Sequence, residues 1–316
     1  MESELIVLGD LVADVIIPVE RLPIEPLQHG WAEGIFVEPG GAGNVLVAAR
    51  RMNLATVTLG SIGPDRYGAE MLAMLAEVGV LTEHVTICPE RTTVVCIVLS
   101  DKLGQHVYLG VKDKLGLWPF PAEWHDVIRR TRALFTDGYT VRDVMAPDDV
   151  LAACATARAA DVPVFYDPGP SAAFISPELE ARVLAATDVL LLTDDEAELL
   201  CGERERESAL RALLGMGPRV IVMKHGGEGC TVATARETIL APGFAVPVVD
   251  TVGAGDSFAA AFIAGWLRGG SLADCATLAN AMGAQVATQR GAGTRIPGRD
   301  QLRALLANSP RALALL

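Results

Sequence analysis

Positive charge is scarce in this chain. Its 26 Lys and Arg face 39 Asp and Glu, a formal net charge of −13 over 316 residues. A protein that tracks nucleic-acid phosphates needs a basic face, so no nucleic-acid partner is expected. Any phosphate site must be built locally, from backbone amides, a few basic side chains and metal ions. Cysteine is sparse and unpatterned: Cys88, Cys96, Cys154, Cys201, Cys230 and Cys275 form no C-x-x-C pair. Zinc and redox motifs are therefore set aside. Four of these thiols sit in apolar contexts, as small core residues do, and the usage fits a reducing cytoplasm. The five histidines are scattered and suggest no metal cluster. Long apolar runs are missing as well. The opening MESELIVLGDLVADVII begins acidic and is broken by Gly9-Asp10 and Asp14, so it reads as neither a signal peptide nor a membrane span. No Walker A pattern occurs. Neither glycine pair completes a dinucleotide fingerprint: Gly41-x-Gly43 leads to Leu46 and Gly253-x-Gly255 leads to Phe258, where a third small residue belongs.

What is present is a rhythm. With 51% hydrophobic and 21% charged residues, the composition is that of a globular protein. The length allows one large α/β domain or two smaller ones. Short apolar runs at 5–8, 55–59, 94–99, 133–136, 162–166, 189–192 and 220–223 read as strands. Helical patterns follow most of them, at 65–78, 148–160, 177–186 and 208–214. Such alternation predicts an α/β fold with a mostly parallel sheet covered on both faces. Ligands of such sheets bind beyond the carboxyl ends of the strands, where Asp10, Asp137, Asp167 and Asp194 fall. Two stretches break the rhythm. Residues 12–38 hold three prolines and short β-prone pieces at 15–17 and 34–37. Residues 92–112 hold two more candidate strands, at 93–99 and 106–111, with Asp101–Gly104 as a hairpin turn. These stretches predict a small sheet, a lid inserted in the core of one domain spanning 1–316. Its unpaired face calls for a partner.

The most informative stretch is DTVGAGDSF at 250–258. It reads as a tight glycine loop opening an apolar helix, whose first amides and dipole favour an anion. Gly253, Ala254 and Gly255 form the cradle, and Asp256 puts a carboxylate inside it. The bland alternative is an aspartate that only caps the helix. An anion cradle with a carboxylate suits phosphoryl transfer, with Asp256 taking a proton from a hydroxyl.

Other stretches admit two readings each. Gly40, Gly41 and Asn44 precede a helix at 45–52, as a ligand approach or as a glycine turn with an Asn cap. Asp14 follows a strand end on the binding face. Asp65 reads as a helix cap. Thr193, Asp194, Asp195 and Glu196 open a helix, with Glu196 either ordering metal-bound water or sitting among solvated acids. Lys224 leads into a turn carrying Gly226 and Gly229, as a nucleotide wall or as a hairpin into 230–234.

These stretches, in order and over nearly the whole chain, resemble the ribokinase-like (PfkB) carbohydrate kinases. The 250–258 run is similar to the family's C-terminal signature. Gly9-Asp10 with Asp14 resembles its sugar-contacting start, 40–44 its first signature, and Gly63-x-Asp65-x-x-Gly68 its next block. Tyr166-Asp167-Pro168 resembles a D-P-N strand end, with Gly169 in place of Asn. Segment 193–202 is similar to its N-x-x-E helix start, with Thr193 where Asn is usual.

The resemblance implies a Rossmann-like three-layer αβα domain with a β-sheet lid, and a homodimer clasped through the lids. It implies ATP as donor and Mg²⁺ served by Glu196 through water. The amides of 253–256 become an anion hole and Asp256 the base. Asp10, Asp14, Gly40, Gly41 and Asn44 become acceptor contacts. Thr193, Lys224, Gly226, Gly229 and Asn280 become nucleotide contacts. It further implies K⁺ on the backbone oxygens of Asp250 and Val252, beside Arg295, which replaces a small hydroxyl residue. The acceptor is a sugar or sugar-like molecule. A nucleoside kinase of the same fold and a non-catalytic sugar or nucleotide sensor stand as alternatives. Trp31, Phe36 and Tyr108 would stack on a base or pack the lid, and Asp10, Asp137 and Tyr139 would bear on acceptor choice.

Overall fold

The computed structural model describes residues 3–27 and 29–316. Met1 and Glu2, in the acidic opening, and Gln28, in the expected lid segment 12–38, lie outside them. In chain order the first half contains β1 (Leu5–Leu8), β2 (Leu11–Pro18), β3 (Phe36–Gly41), α1 (Ala42–Arg51), β4 (Thr56–Leu59), β5 (Ser61–Ile62), α2 (Arg66–Glu77), β6 (Thr86–Ile87), β7 (Val94–Ser100), β8 (His106–Val111), α3 (Trp124–Ile128), β9 (Leu134–Asp137) and α4 (Pro147–Ala159). The second half contains β10 (Val164–Asp167), α5 (Pro177–Ala185), β11 (Val189–Thr193), α6 (Asp194–Cys201), α7 (Arg206–Gly215), β12 (Val220–Lys224), β13 (Gly229–Ala233), β14 (Thr238–Pro242), α8 (Ala254–Leu267), α9 (Leu272–Ala287) and α10 (Pro310–Leu313).

Eight strands form the main sheet in the order β14-β13-β12-β11-β10-β9-β1-β4. From β4 to β12 every pairing is parallel, and β13 and β14 add an antiparallel edge. Side-chain alternation distributes each strand between two cores. Along β1, Leu5 and Val7 join Val45 of α1 and Phe262 of α8. Ile6 and Leu8 join Trp124, Ala153 and Val183 on the opposite layer. Each fully buried Leu, Ile, Val or Phe side chain among them contributes roughly 1.5–3 kcal/mol relative to exposure. The α/β fold with a mostly parallel sheet follows the strand–helix rhythm. The expected helix at 148–160 starts at Pro147, and Pro at a first helical position costs no hydrogen bond.

Helix α8 is apolar on nearly every side and is buried accordingly. Gly265 lets α9 approach: a Cβ there would meet Cys275 Sγ at 3.0 Å. Cys154, Cys230 and Cys275 are buried, Cys88, Cys96 and Cys201 are partly buried, and all six are free thiols.

A second sheet has four strands in the order β3-β2-β7-β8. Its strands are longer than the short pieces at 15–17 and 34–37, because β2 continues almost directly from β1 after Gly9-Asp10. Two placements differ from the sequence reading as a result. Asp14 lies within β2 rather than after a strand end, and Gly40 and Gly41 finish β3 rather than forming a free glycine turn. The hairpin turn at 101–104 forms as expected, with Asp101 Oδ1 accepting the Leu103 and Gln105 N–H groups, both at 2.9 Å.

Candidate active site

Helix α8 begins with Gly253 as its cap residue in the left-handed region, φ 73°. A Cβ there would also lie 2.5 Å from Ala292 Cβ. Glycine is thus required twice, by backbone angle and by space. Asp256 is the third residue of the helix and makes no cap bond, so the capping alternative does not describe it. The Ala254 N–H is already given to Thr251 O at 3.2 Å. Among the described residues, the N–H groups of Gly253, Gly255 and Asp256 find no carbonyl. They are the open donors that a helix start offers to an anion.

Asp256 is held from across the molecule. Asn44 Nδ2 donates to Asp256 Oδ2 at 2.9 Å, and Asn44 Oδ1 accepts the Gly293 N–H at 2.9 Å. Asn44 is buried inside the first turn of α1, not at its cap. Burial first, then the charge of Asp167, pushes the Asp256 carboxyl up to about 7, against the pull of Asn44 and Lys224.

Further acids gather beside it. Asp14 is raised to about 7 by burial and by the charges of Asp256 and Glu38. Its carboxyl lies over Gly40 so closely that a Cβ there would fall 2.2 Å from the carboxyl carbon. Asp10 is raised to about 7 by burial and by Asp137, with Lys112 opposing. Asp137 closes β9 and is raised to about 6 by burial, although Thr140 donates to Oδ1 from N (2.8 Å) and Oγ1 (2.9 Å).

The principal cation among these acids is Lys224, at the end of β12. Its Nζ lies 2.6 Å from Asp167 Oδ2, and a Cβ on Gly255 would lie 3.7 Å from it. Burial works against its charge, but Asp167 and Glu196 raise its pKa above the ordinary value. Glu196 is no solvated acid. It forms a capping box with Thr193: Oε2 accepts the Thr193 N–H at 2.7 Å while Thr193 Oγ1 accepts the Glu196 N–H at 3.3 Å. Burial, then Asp167, raises the Glu196 pKa. Among the described residues no three His, Cys, Asp or Glu side chains form a metal-holding group.

Beyond Lys224 opens a cleft of about 470 Å³. Thr193, Lys224, Gly226, Gly229, Ala254, Gly255 and Asn280 all line it, with Phe244, Val246 and Phe258 as apolar walls. The 224–229 turn is a hairpin into β13, and it also walls this cleft. Asn280 Nδ2 donates to Ala241 O (3.0 Å) and Pro242 O (3.2 Å), tying α9 to the end of β14.

Asp250 acts first through its side chain. Oδ1 accepts the Val252 N–H at 3.0 Å, Oδ2 accepts the Gly291 N–H at 2.9 Å, and His106 Nε2 stands 3.4 Å from Oδ1. The carbonyls of Asp250 and Val252 accept no hydrogen bond among the described residues. Both residues line a cavity of about 50 Å³ together with Arg295. Arg295 Nε lies 3.4 Å from Glu38 Oε1, and its guanidinium covers the Phe36 ring at 4.9 Å. Of the aromatic residues singled out, Trp31 is 96% exposed and packs no lid, while Tyr108 stacks against His106 at 6.0 Å. Sequence reasoning missed Glu38, whose Oε2 accepts the N–H (2.8 Å) and hydroxyl (2.5 Å) of Thr294. Its signal was an acid two residues before Gly40 on a short strand.

Residues 2–299 match the model of the pfkB family carbohydrate kinases. The chain is 33% identical over 302 residues to an ATP-dependent ribose-1-phosphate kinase of Halopiger xanaduensis, covering 94% of this chain and 96% of that one. It is 25% identical over 302 residues to a nucleoside kinase of Methanothermobacter thermautotrophicus, covering 94% and 93%. Among solved structures, Arabidopsis thaliana ribokinase complexed with ribose and ATP superposes with a TM-score of 0.83 at 25% identity, covering 97% and 99%.

Proposed function

This chain belongs to the pfkB family of carbohydrate kinases and is an ATP-dependent carbohydrate kinase, and on that premise we propose that it transfers the γ-phosphoryl group of ATP to a hydroxyl of a sugar or nucleoside at Asp256. The observation that carries this reading is the placement of Asp256. Its carboxylate sits within the first turn of α8, beside the open N–H groups, and is oriented by Asn44.

In the proposed mechanism the acceptor lies over Asp10, Asp14, Gly40, Gly41 and Asn44. Its hydroxyls donate to carboxylates, and Gly40 and Gly41 let the β3 backbone come close. Adenosine occupies the 470 Å³ cleft walled by Gly226, Gly229 and Asn280. Attack is in line on the γ-phosphorus, and Asp256 takes the hydroxyl proton. The N–H groups of Gly253, Gly255 and Asp256 then stabilise the charge on the transferred group, with Ala254 holding the loop's shape. A pKa near 7 makes Asp256 a better base than an ordinary aspartate while leaving it ionised in half or more of the molecules above that pH.

Mg²⁺ suits the excess of carboxylates over cations around Lys224. Glu196 would hold it through water, and when bound it would neutralise phosphate charge. K⁺ suits the unengaged carbonyls of Asp250 and Val252, where the Glu38 carboxylate offsets the charge of Arg295. The small sheet acts as the lid of one domain spanning 1–316. Its outer face, with Val107, Leu109 and Val111 each 40–54% exposed, would clasp a second copy. We place the enzyme in the cytoplasm, where its six thiols stay reduced.

The test is an ADP-release assay with ribose, ribose 1-phosphate, fructose and adenosine as acceptors, alongside binding titrations. Acceptor-dependent ADP release is expected. Saturable acceptor binding without phosphorylation would instead make the chain a sensor on a kinase fold.

A further inference from the structure

The acceptor end of the site carries cations for which hydroxyl recognition has no use. Lys112 follows directly on β8. Along that strand the even positions face the cleft: His106 reaches Asp250, Tyr108 stacks on His106, and Gly110 stands opposite Cys96, itself opposite Asp14. Val107, Leu109 and Val111 take the outer face. Alternation therefore turns Lys112 toward the cleft, and Lys112 is among the charges that act on Asp10. The neighbouring acid does not occupy it, because Asp113 is bound by Arg91 at 2.7 Å.

Arg142 approaches from the main domain. It sits in a single π-helical turn, Thr140–Val144, two residues beyond the carboxyl end of β9. Such turns are rare and cluster at functional sites. The Arg142 guanidinium covers the Phe174 ring at 4.6 Å, which fixes its plane, and Phe174 belongs to the loop after β10. Lys112 and Arg142 share one acid, Asp143, at 3.6 Å and 3.0 Å. Among the described residues Asp143 is the one acid in ion-pair contact with either cation, and the buried Asp10 is the further acid on which Lys112 acts. Side chains of Lys112 and Arg142 remain 59% and 35% exposed, so both can reach a ligand.

The site is thus bipolar. Lys224 stands at the Asp256 end. Lys112 and Arg142 stand beyond Asp10 and Tyr139 at the other, and Tyr139 feels both Asp256 and Arg142. We propose that Lys112 and Arg142 recognise a phosphate already present on the acceptor, on a carbon remote from the hydroxyl that is phosphorylated, so that the preferred substrate is a sugar phosphate. In that complex the phosphate displaces Asp143 as the partner of both cations. This rests on the kinase reading above and adds the class of acceptor.

The experiment compares kcat/KM for ribose 1-phosphate, ribose 5-phosphate and ribose at saturating ATP and Mg²⁺, in the wild type, Lys112→Met, Arg142→Met and Arg142→Lys. The wild type is expected to favour one of the phosphates. Each Met variant should shrink that preference by roughly 10- to 100-fold, the worth of a charge-assisted contact, and Arg142→Lys should keep part of it. Titration of the preferred sugar phosphate without ATP should show the same ranking in affinity. A wild type that phosphorylates ribose as well as either phosphate overturns the inference and leaves the kinase reading standing. Equal losses on ribose and on the sugar phosphate assign Lys112 and Arg142 to packing and overturn it too. A wild type that turns over none of the three, nor any acceptor in the wider panel, defeats the kinase reading itself.

Discussion

Asn44 donates to Asp256 at 2.9 Å although 212 positions separate them in the chain. The same side chain accepts the Gly293 N–H at 2.9 Å. One amide group thus fixes the start of α1, the first turn of α8 and the 291–295 turn around a single carboxylate. The bond to Asp256 is charge-assisted when that group is ionised, and so about twice as strong as a neutral one.

Asp256→Asn removes the proposed base while keeping the side chain's shape. We expect kcat to fall by about 10²–10⁴, with KM for ATP within a few-fold of wild type. Asn44→Ala should lower kcat/KM for the acceptor and also destabilise the protein by about 1–3 kcal/mol, because the buried Gly293 N–H loses its acceptor. Steady-state kinetics and urea unfolding separate the two effects. Turnover near wild type in Asp256→Asn would sink the proposed role.

Gly40→Ala and Gly253→Ala test the two glycines under most constraint. A methyl at 40 would sit 2.2 Å from the Asp14 carboxyl carbon, so Asp14 must move and acceptor KM should rise at least about tenfold. A methyl at 253 meets Ala292 at 2.5 Å in a backbone region that L-residues avoid. There we expect a loss of kcat and of melting temperature together.

Burial pushes Asp256 up to about 7, so if it is the base, kcat/KM should rise with pH through about 7 as it ionises. Stability runs the other way. Asp10, Asp14 and Asp256 are each raised from 3.8 to about 7 in the folded protein. Between those values the folded state binds more protons than the unfolded one. Their contribution is therefore complete below about 3.8 and lost as pH rises through about 7. Melting temperature of the ligand-free protein should fall from pH 5 to pH 8. Asp14→Asn should recover part of that loss at pH 8 and little at pH 5. A melting curve set flat across this range would contradict the clustering of acids.

Leu109 is 52% exposed at the centre of the outer face of β8. If that face clasps a second copy, Leu109→Glu should shift sedimentation from dimer to monomer at micromolar concentration. A wild type that sediments as a monomer would refute the clasp.

The layered fold was legible in the order of residues alone. Short apolar runs alternating with helical periods can bury their faces only as a parallel sheet between helices, and β1, β4 and β9 to β12 follow that pattern. The Gly-Ala-Gly-Asp run likewise determined a helix start with a carboxylate in it, since φ at Gly253 and the first-turn donors are local properties. Asp65 too was legible as a cap, because its partners, the Tyr67 and Gly68 N–H groups, lie within three residues. Tertiary structure decided what no local pattern carries. Asn44 reaches Asp256, Asp14 lies over Gly40, Asp250 braces Gly291, and Lys112 meets Asp143. Each joins segments far apart in the chain, and the raised pKa values exist only because these separate acids are buried together. The 250–258 motif carries the chemistry of the loop; the packing of α1, β2 and β12 around it decided which groups lie against Asp256.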